Sequence, residues 1–374
     1  MSNELKRSRK ASPSELTGRR EQGDGRTASK RTRIGVIGAG FWATANTLPV
    51  LKRRTDVELV GVSRLGASEL QRVQESFGIP FGSESYEELL ASIPMDGVVI
   101  ASPHHLHAEH ACAALEKGIH ALIEKPMATN VVDARRIVET ARRRKRHVLV
   151  PYGWNFQPYF KTARQFVQGG RIGRLRHVVA QMATPIEDLM SGGTLQGVEK
   201  EMFQPQSETW ARPSTGGYGW GQLVHLLGGL FYITDLKPEM VFALVGRSPI
   251  GTDIFNALTI SFTGGATGAL SGAASVPAGS PFQVDIRLFG TEGMLLLDVE
   301  RERLWLRRRD GKDCDIEIPP GQGAYTCVAP VDCFVDLCLG VDAENCGDAS
   351  VGLRSVEVVA AMLRSSETGR PMQV

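Results

Sequence analysis

Short apolar runs recur along the first half of the chain and alternate with stretches that have the spacing of amphipathic helices. One such helical stretch covers about residues 131–145. Near-continuous apolar runs are typical of parallel strands buried on both faces, and helices between them predict a doubly wound sheet, here of six strands. The clearest runs are residues 34–37, 57–63, 97–103, 121–123 and 147–153.

The second half of the chain has a different pattern. From about residue 173 onward, segments rich in β-branched and aromatic residues are separated by frequent turn residues. This arrangement favours an antiparallel sheet over further crossover units. The predicted fold class is therefore α/β, with a doubly wound parallel sheet followed by a mostly antiparallel one. The β-rich segments are residues 177–183, 240–246, 256–263, 267–275 and 282–290.

Chain length and the first residues bear on domain organisation. The chain has 374 residues and exceeds the roughly 250–300 residues that one core usually serves, so two domains are expected. Residues 1–32 are polar and basic without a hydrophobic period, and they are predicted to form a disordered tail. A nucleic-acid or membrane-surface role for this tail is an open alternative.

Composition narrows the class of protein. Hydrophobic residues make up 42% of the chain and charged residues 22%, and the net charge is +2, which fits an ordinary soluble globular protein. No apolar run approaches the ~20 residues needed to span a bilayer. The six cysteines lack C-x-x-C spacing, so no metal site is predicted, and free thiols favour a cytoplasmic location. The basic run at 142–146 is interpreted as a solvated helix end, so no nucleic-acid partner is predicted.

A glycine-rich turn follows the first apolar run. Residues 38–43 read Gly-Ala-Gly-Phe-Trp-Ala, which matches G-x-G-x-x-A. Gly38 permits a tight turn, Gly40 lets a pyrophosphate approach the backbone, and the helix that follows offers its N-terminal amides to the phosphates. Between a strand and a helix, this pattern predicts a dinucleotide site rather than a glycine turn of purely structural origin. Its cofactor-binding residues are expected to include Gly38, Gly40, Phe41 and Trp42.

The end of the second predicted strand indicates which dinucleotide. An NAD site usually has a carboxylate there for the ribose 2′-hydroxyl, whereas the 2′-phosphate of NADP needs an arginine. This strand ends in Ser63 and Arg64. A guanidinium with a neighbouring hydroxyl can hold a phosphate, so NADP is the favoured cofactor and NAD the alternative. The alternative for Arg64 is that it is simply a solvated arginine in a loop.

Six segments in order and spacing identify a resemblance. "GVIGAGFWA", "SPHHLH", "EKP", "GGRIG", "GGYGWGQLVH" and "LFGTEGMLLLD" resemble the glucose-fructose oxidoreductase / inositol dehydrogenase / MocA family. The resemblance implies an N-terminal Rossmann domain at 33–152 and a C-terminal α/β domain at 153–374 with a large, open, mostly antiparallel sheet. It implies an NAD(P)-dependent oxidoreductase acting on a sugar, cyclitol or related small molecule. It also implies a homodimer or homotetramer that associates through that sheet.

The Glu-Lys-Pro motif at 124–126 is the most specific of these segments. In the family the lysine lies beside the nicotinamide and the substrate, so the resemblance implies a catalytic role for Lys125. A cation at the reacting oxygen stabilises a developing alkoxide and can transfer its proton. Glu124 is expected to line the cofactor site with it. An ion pair between Glu124 and Lys125 is the structural alternative.

The family's second catalytic motif is incomplete. It reads D-x-x-x-H, with both side chains on one helix face, and here the histidine is His225 while Gly221 replaces the aspartate. His225 is therefore the second predicted catalytic residue. Aromatic and amide groups in a cleft suit a polyol or sugar and equally a small cyclic ligand, and the predicted substrate residues are Trp154, Asn155 and Gln222.

Three residues of the "SPHHLH" segment complete the predicted cofactor site. The resemblance implies that Ser102 and Pro103 line the cofactor and that His107 orients them. A purely structural histidine at the start of a helix is the alternative for His107. The asparagine of the family pattern is replaced by His104.

Three functions are consistent with these patterns. The first is the NAD(P)-dependent oxidoreductase. The second is a hydrolase or lyase that retains its cofactor and uses transient oxidation of a sugar. The third is a non-catalytic sensor or scaffold that binds a dinucleotide, for which the missing aspartate is the main support.

Overall fold

The structure, a computed structural model, describes residues 31–374. The predicted disordered tail therefore lies outside the described residues except for its last two, Arg31 and Thr32. Thr32 already begins the first strand, where it pairs with Val57. Strand pairing thus begins one residue before residue 33, the predicted start of the first domain.

The first sheet has six parallel strands in the order β3-β2-β1-β4-β5-β6. This is the order of a doubly wound dinucleotide-binding fold, in which the carboxyl ends of β1 and β4 meet at the point where the strand order reverses. The short edge strand β3 is not among the apolar runs recognised in the sequence. The strands are β1 (Thr32–Ile37), β2 (Val57–Ser63), β3 (Phe81–Ser83), β4 (Gly97–Ile100), β5 (His120–Ile123) and β6 (Val148–Leu149).

Helices connect these strands. The helix expected at about 131–145 covers Val131–Arg144, and the side chain of Asn130 caps it by accepting a hydrogen bond from the Asp133 amide. Ser85 caps an earlier helix in the same way, through the Glu88 amide. Such caps satisfy backbone donors that have no partner inside the helix. The helices are α1 (Leu48–Arg53), α2 (Ala67–Phe77), α3 (Tyr86–Ser92), α4 (His107–Glu116) and α5 (Val131–Arg144).

The second sheet has nine strands in the order β14-β13-β12-β11-β7-β10-β9-β8-β15. All neighbouring pairs are antiparallel except β7 and β10. The predicted fold class is thereby confirmed. The strands are β7 (Leu175–Ala183), β8 (Pro238–Arg247), β9 (Asp253–Phe262), β10 (Thr267–Ala273), β11 (Gln283–Gly290), β12 (Gly293–Asp298), β13 (Arg303–Arg308), β14 (Cys314–Glu317) and β15 (Met372–Gln373).

Helices cover one face of the second sheet and link it to the first. The central one, Val224–Thr234, is buried along almost its whole length, and a π-helical turn at Gly219–Leu223 leads into it. None of the helices in the described part of the chain has the length and apolar character needed to cross a membrane. The helices of this half are α6 (Pro158–Gln168), α7 (Glu187–Met190), α8 (Ser207–Trp210), α9 (Val224–Thr234), α10 (Val328–Leu339) and α11 (Ala349–Thr368).

Candidate active site

The glycine turn packs directly on the end of the neighbouring strand β4. Gly38 has a φ of 85°, and a Cβ atom added there would collide with the backbone of Ser102. Gly40 is different, because a Cβ added there meets no atom within 4 Å. The first glycine is thus required by the fold, whereas the second keeps the space in front of the turn free. A pyrophosphate needs that space to reach the backbone amides.

A cleft of about 470 Å³ extends from this turn across the carboxyl ends of the strands. All eleven residues proposed from the sequence as cofactor-binding line it, and Trp42, Glu124 and Lys125 lie together on its wall. The segment 203–210, which also lines the cleft, was not predicted from the sequence, because it has no regular hydrophobic period. The additional lining residues include Glu84, Tyr86, His104, His110, Phe203, Gln204, Pro205, Gln206, Thr209 and Trp210.

Arg64 lies at the carboxyl end of β2 and lines the cleft. Its Nη1 donates a hydrogen bond to the Ala39 carbonyl at 2.6 Å, and its guanidinium lies 3.9 Å from the centre of the Phe203 ring. The buried Nε atom has no partner among the described residues. Burial lowers the pKa of Arg64, but an arginine stays charged at neutral pH. The side chain is therefore held in the cleft rather than solvated in a loop.

Histidines hold the turns around the cleft together. Both ring nitrogens of His107 contact backbone carbonyls, with Nδ1 at 2.7 Å from Pro126 O and Nε2 at 2.8 Å from Ser102 O. Burial lowers the pKa of His107 to about 4, although both carbonyl contacts act to raise it. His107 thus ties the turn after β4 to the Glu-Lys-Pro turn after β5. The Ser102 hydroxyl is 2.9 Å from Nδ1 of His110, which is also buried.

Lys125 is buried at the inner end of the cleft, with 6% of its surface exposed. Its Nζ donates to the Gly221 carbonyl at 2.9 Å, and it lies 4.8 Å from the centre of the Trp210 ring and 5.8 Å from that of Trp42. No salt bridge joins Lys125 to Glu124 within residues 31–374. The Glu124 carboxylate instead accepts from the Lys125 backbone amide at 3.3 Å.

The two titratable groups of the motif have unusual pKa values. Burial lowers the pKa of Lys125 to about 8, while the Glu124 carboxylate partly opposes this shift. Burial raises the pKa of Glu124 to about 7, and the Lys125 charge opposes that shift. Removing a charge from water disfavours its ionised form, which explains both directions. An amine with a pKa near neutrality can exchange a proton in either direction.

His225 lies on α9 and, unlike Lys125, does not line the cleft. Burial, and then the positive charge of Lys125, hold its pKa well below the usual range. Its ring packs edge-on against Tyr152, Trp154 and Tyr325, at centroid distances of 6.0, 5.9 and 5.0 Å. Its buried Nδ1 has no hydrogen-bond partner among the described residues. A neutral imidazole at this position can accept or pass on a proton.

The three residues expected to contact substrate do not line the cleft. Asn155 is 1% exposed, and its amide donates to the carbonyls of Gly228 and Cys346 at 3.2 and 2.9 Å. Trp154 donates from Nε1 to the Gly323 carbonyl at 2.9 Å. These two side chains connect neighbouring segments, and their contact with substrate stays a prediction. Gln222 is also buried, and its Oε1 has no partner within the described part of the chain.

Other side chains occupy the place of the missing aspartate. A Cβ atom added to Gly221 would lie 2.8 Å from both Met190 Cε and Trp210 Cζ3. Trp210 also packs edge-on against His104, with 5.3 Å between ring centroids. The two departures from the family pattern, at positions 104 and 221, therefore meet at one indole ring.

Comparisons with known proteins agree with this architecture. Residues 32–152 match the oxidoreductase family with an NAD-binding Rossmann fold, and residues 160–296 match the GFO/IDH/MocA C-terminal domain. The chain is 27% identical over 278 residues to myo-inositol 2-dehydrogenase of Thermotoga maritima, covering 72% of this chain and 76% of that protein. It is 32% identical over 146 residues to 1-carboxy-3-chloro-3,4-dihydroxycyclohexa-1,5-diene dehydrogenase of Comamonas testosteroni, covering 39% of this chain and 36% of that protein.

The fold is also similar to that of a levoglucosan dehydrogenase solved in complex with NADH and levoglucosan. The TM-score is 0.74 at 18% sequence identity, with 92% of this chain and 100% of that chain covered. The two family matches cover both halves of the described chain and confirm the resemblance seen in the sequence. The chain belongs to the glucose-fructose oxidoreductase / inositol dehydrogenase / MocA family of NAD-binding oxidoreductases.

Proposed function

We propose that this protein is an NAD(P)-dependent dehydrogenase that oxidises a ring hydroxyl of a carbohydrate-like small molecule, with Lys125 as the group that takes up the hydroxyl proton. The observation that carries the proposal is the position of Lys125, a buried amine on the wall of the dinucleotide cleft without a carboxylate partner in the described chain. Relatives named as inositol and glucoside dehydrogenases support the class of substrate.

The chemistry assigned to Lys125 follows from its surroundings. A bound nicotinamide would supply the acceptor for the hydride that leaves the carbinol carbon. The neutral amine of Lys125 takes the hydroxyl proton, and the resulting ammonium stabilises the oxygen while negative charge develops on it. Its pKa of about 8 leaves a substantial fraction of neutral amine at physiological pH. In the reverse direction the ammonium donates the proton to the carbonyl oxygen.

His225 is proposed as the next acceptor behind Lys125. The support for this role is its buried Nδ1, which has no partner among residues 31–374, while the Lys125 charge opposes protonation of the ring. The ring is neutral at physiological pH, because burial and the neighbouring cation disfavour its charged form. Its contribution is therefore expected to be smaller than that of Lys125.

The cleft suits a dinucleotide, and NADP is the proposed form. The open space at Gly40 and the unpaired Nε of Arg64 are the features that fit a pyrophosphate and a 2′-phosphate. NAD remains the alternative, because the Glu84 carboxylate also lines the cleft and could accept a ribose hydroxyl. The six cysteines are all free thiols, which supports a cytoplasmic location.

Turnover with a panel of ring alcohols tests the proposal. Cyclitols and sugars are offered with NAD and with NADP, and coenzyme reduction is followed while coenzyme affinity is measured separately. We expect reduction of at least one coenzyme by at least one ring alcohol. If the protein binds coenzyme tightly and turns over no alcohol or ketone of the panel, the dehydrogenase proposal fails.

A dinucleotide-binding sensor is the second candidate. It is favoured by the crowding at Gly221, where Met190 Cε and the Trp210 ring approach the position of the family's carboxylate. A sensor would change conformation with coenzyme and show no turnover. Protection from proteolysis that depends on coenzyme, without turnover of any alcohol, would favour this function over the first.

Association through the outer face of the nine-stranded sheet is also part of the proposal. This face carries a depression of about 630 Å³, and Leu244 on it is 68% exposed. Contiguous exposed apolar surface usually marks an interface, and a second copy of the chain is the proposed occupant.

Leu244→Asp should reduce the assembly measured by sedimentation, whereas Val132→Asp, at a residue that is 78% exposed on α5, should not. Equal sedimentation of the wild type and Leu244→Asp would contradict the interface. The other exposed apolar residues of this sheet are Val179, Met240, Phe242 and Phe255.

A further inference from the structure

Trp210 forms an apolar wall beside the reactive amine. Its ring centre lies 4.8 Å from Nζ of Lys125, and the side chain lines the cleft. Behind it, Met190 fills the rest of the volume that a side chain at position 221 would need. A substrate whose hydroxyl reaches Lys125 must therefore pass close to this indole ring, whereas Met190 is fully buried and does not line the cleft.

This wall is anchored at several points. Met190 is fully buried, and its carbonyl accepts from the Thr252 hydroxyl at 2.6 Å. The turn after Trp210 is closed by a contact of 3.0 Å between Nδ1 of His104 and the Thr215 carbonyl. Gly216 is needed there, since a Cβ at that position would collide with the Trp210 carbonyl. The indole is thus held in place by both halves of the protein.

The wall changes what the site can recognise. A carboxylate at position 221 could accept hydrogen bonds from ring hydroxyls, whereas the indole face of Trp210 provides no strong acceptor. A substrate hydroxyl turned toward this face loses water without gaining a partner, which reduces binding by about 10- to 100-fold. An aliphatic or unsaturated ring face packs favourably on an aromatic ring.

Resting on the proposed dehydrogenase function, we propose that Trp210 is a specificity-determining residue that selects cyclic alcohols with an apolar face beside the reacting carbon. The preferred substrate class is then a carbocyclic diol or a deoxygenated ring rather than a fully hydroxylated polyol. The reaction is unchanged: the carbinol carbon loses a hydride to the oxidised coenzyme, its hydroxyl loses a proton to Lys125, and a ketone forms.

Two substrates that share a six-carbon ring test this selectivity. The ratio of kcat/KM for trans-cyclohexane-1,2-diol to that for myo-inositol is measured for the wild type, Trp210→Phe, Trp210→Ala and the double variant Trp210→Ala/Gly221→Asp. We expect the wild type to prefer the diol at least tenfold, Trp210→Phe to retain this preference, and the double variant to shift the ratio at least tenfold toward inositol. Coenzyme affinity and melting temperature verify that each variant is folded.

Several outcomes would overturn the proposal. If the wild type prefers inositol, the proposal fails before any variant is tested. It also fails if Trp210→Ala loses activity equally on both substrates. If neither substrate is turned over, calorimetric binding of both to the coenzyme-loaded protein decides. If the protein binds the diol preferentially and Trp210→Ala abolishes this preference, the role of Trp210 is supported although the dehydrogenase function fails. If both ligands bind equally well, the role of Trp210 is contradicted.

Discussion

The two ends of the cleft differ in how their residues are brought together. At the coenzyme end, around the glycine turn and Arg64, the lining residues follow the carboxyl ends of neighbouring parallel strands, and the ten predicted positions other than Lys125 line the cavity. At the substrate end, Lys125 donates to Gly221, which lies 96 positions further along the chain, and Trp210 ends the four-residue helix α8. Position along a strand defines the first end, whereas long-range packing defines the second.

The two ends also differ in whether the fold itself requires a residue or whether the residue is specific to this chain. Gly38 could not carry a side chain without displacing Ser102, so the turn is fixed by the sheet itself. Gly221 is surrounded by Met190 and Trp210, which are side chains that substitution can change. Variants at the substrate end should therefore alter catalysis or selectivity, and variants at the coenzyme end should alter dinucleotide affinity.

Replacing Lys125 with methionine should have the largest effect. Lys125→Met keeps most of the volume and removes the charge, so kcat should fall about 10²-fold or more, by analogy with loss of an oxyanion donor. Coenzyme affinity should change little. Lys161→Met, at a lysine 38% exposed and paired with Glu344, is the matched control. Retention of wild-type kcat in Lys125→Met would show that another group transfers the proton.

Replacing Arg64 should affect the coenzyme end alone. Arg64→Ala should weaken NADP binding by about 1.5–3 kcal/mol, the range for a hydrogen bond to a charged group, and leave NAD binding nearly unchanged. The control is Arg72→Ala, since Arg72 lies 5.6 Å from the same Phe203 ring without lining the cleft. Tighter binding of NAD than of NADP by the wild type, measured by titration, would contradict the assignment of Arg64 to a 2′-phosphate.

Replacing Asn155 should affect stability without affecting catalysis. Asn155→Ala leaves the carbonyls of Gly228 and Cys346 without their side-chain donor, which should lower the free energy of unfolding by about 1–3 kcal/mol. Denaturant melts and steady-state kinetics measure the two effects. If Asn155→Ala instead raises KM and leaves the denaturant melt unchanged, Asn155 contacts the substrate.

The sequence was sufficient where chemistry is carried by contiguous residues. The apolar runs predicted the parallel strands, and the glycine and Glu-Lys-Pro motifs follow β1 and β5, so their place at one sheet edge follows from the topology. The edge strand β3 was missed because Phe81–Ser83 is only three residues long. Short runs of this kind carry no measurable period.

The substrate end could not be predicted because its contacts depend on tertiary packing. Trp154 and Asn155 looked suitable by residue type, yet their polar groups bond to backbone carbonyls of distant segments. Phe203 lies outside any helix or strand, and Trp210 ends the four-residue helix α8. Segments this short carry no measurable hydrophobic period. The glycine at 221 was visible in the sequence, but its reason, the indole ring packed against it, required the structure.

The pH dependence of catalysis tests the central claim, that Lys125 exchanges the proton of the reacting hydroxyl. The pKa of Lys125 is lowered to about 8, so below that pH the amine is protonated and cannot accept the proton. Alcohol oxidation should therefore fall about tenfold per pH unit well below pH 8, and ketone reduction, which needs the ammonium, should fall in the same way above it. We predict that the two rates change with pH in opposite directions and share a midpoint near pH 8. Neither pH dependence should be present in the residual activity of Lys125→Met. Rates that do not depend on pH across this range, or a midpoint that persists in Lys125→Met, would contradict the assignment.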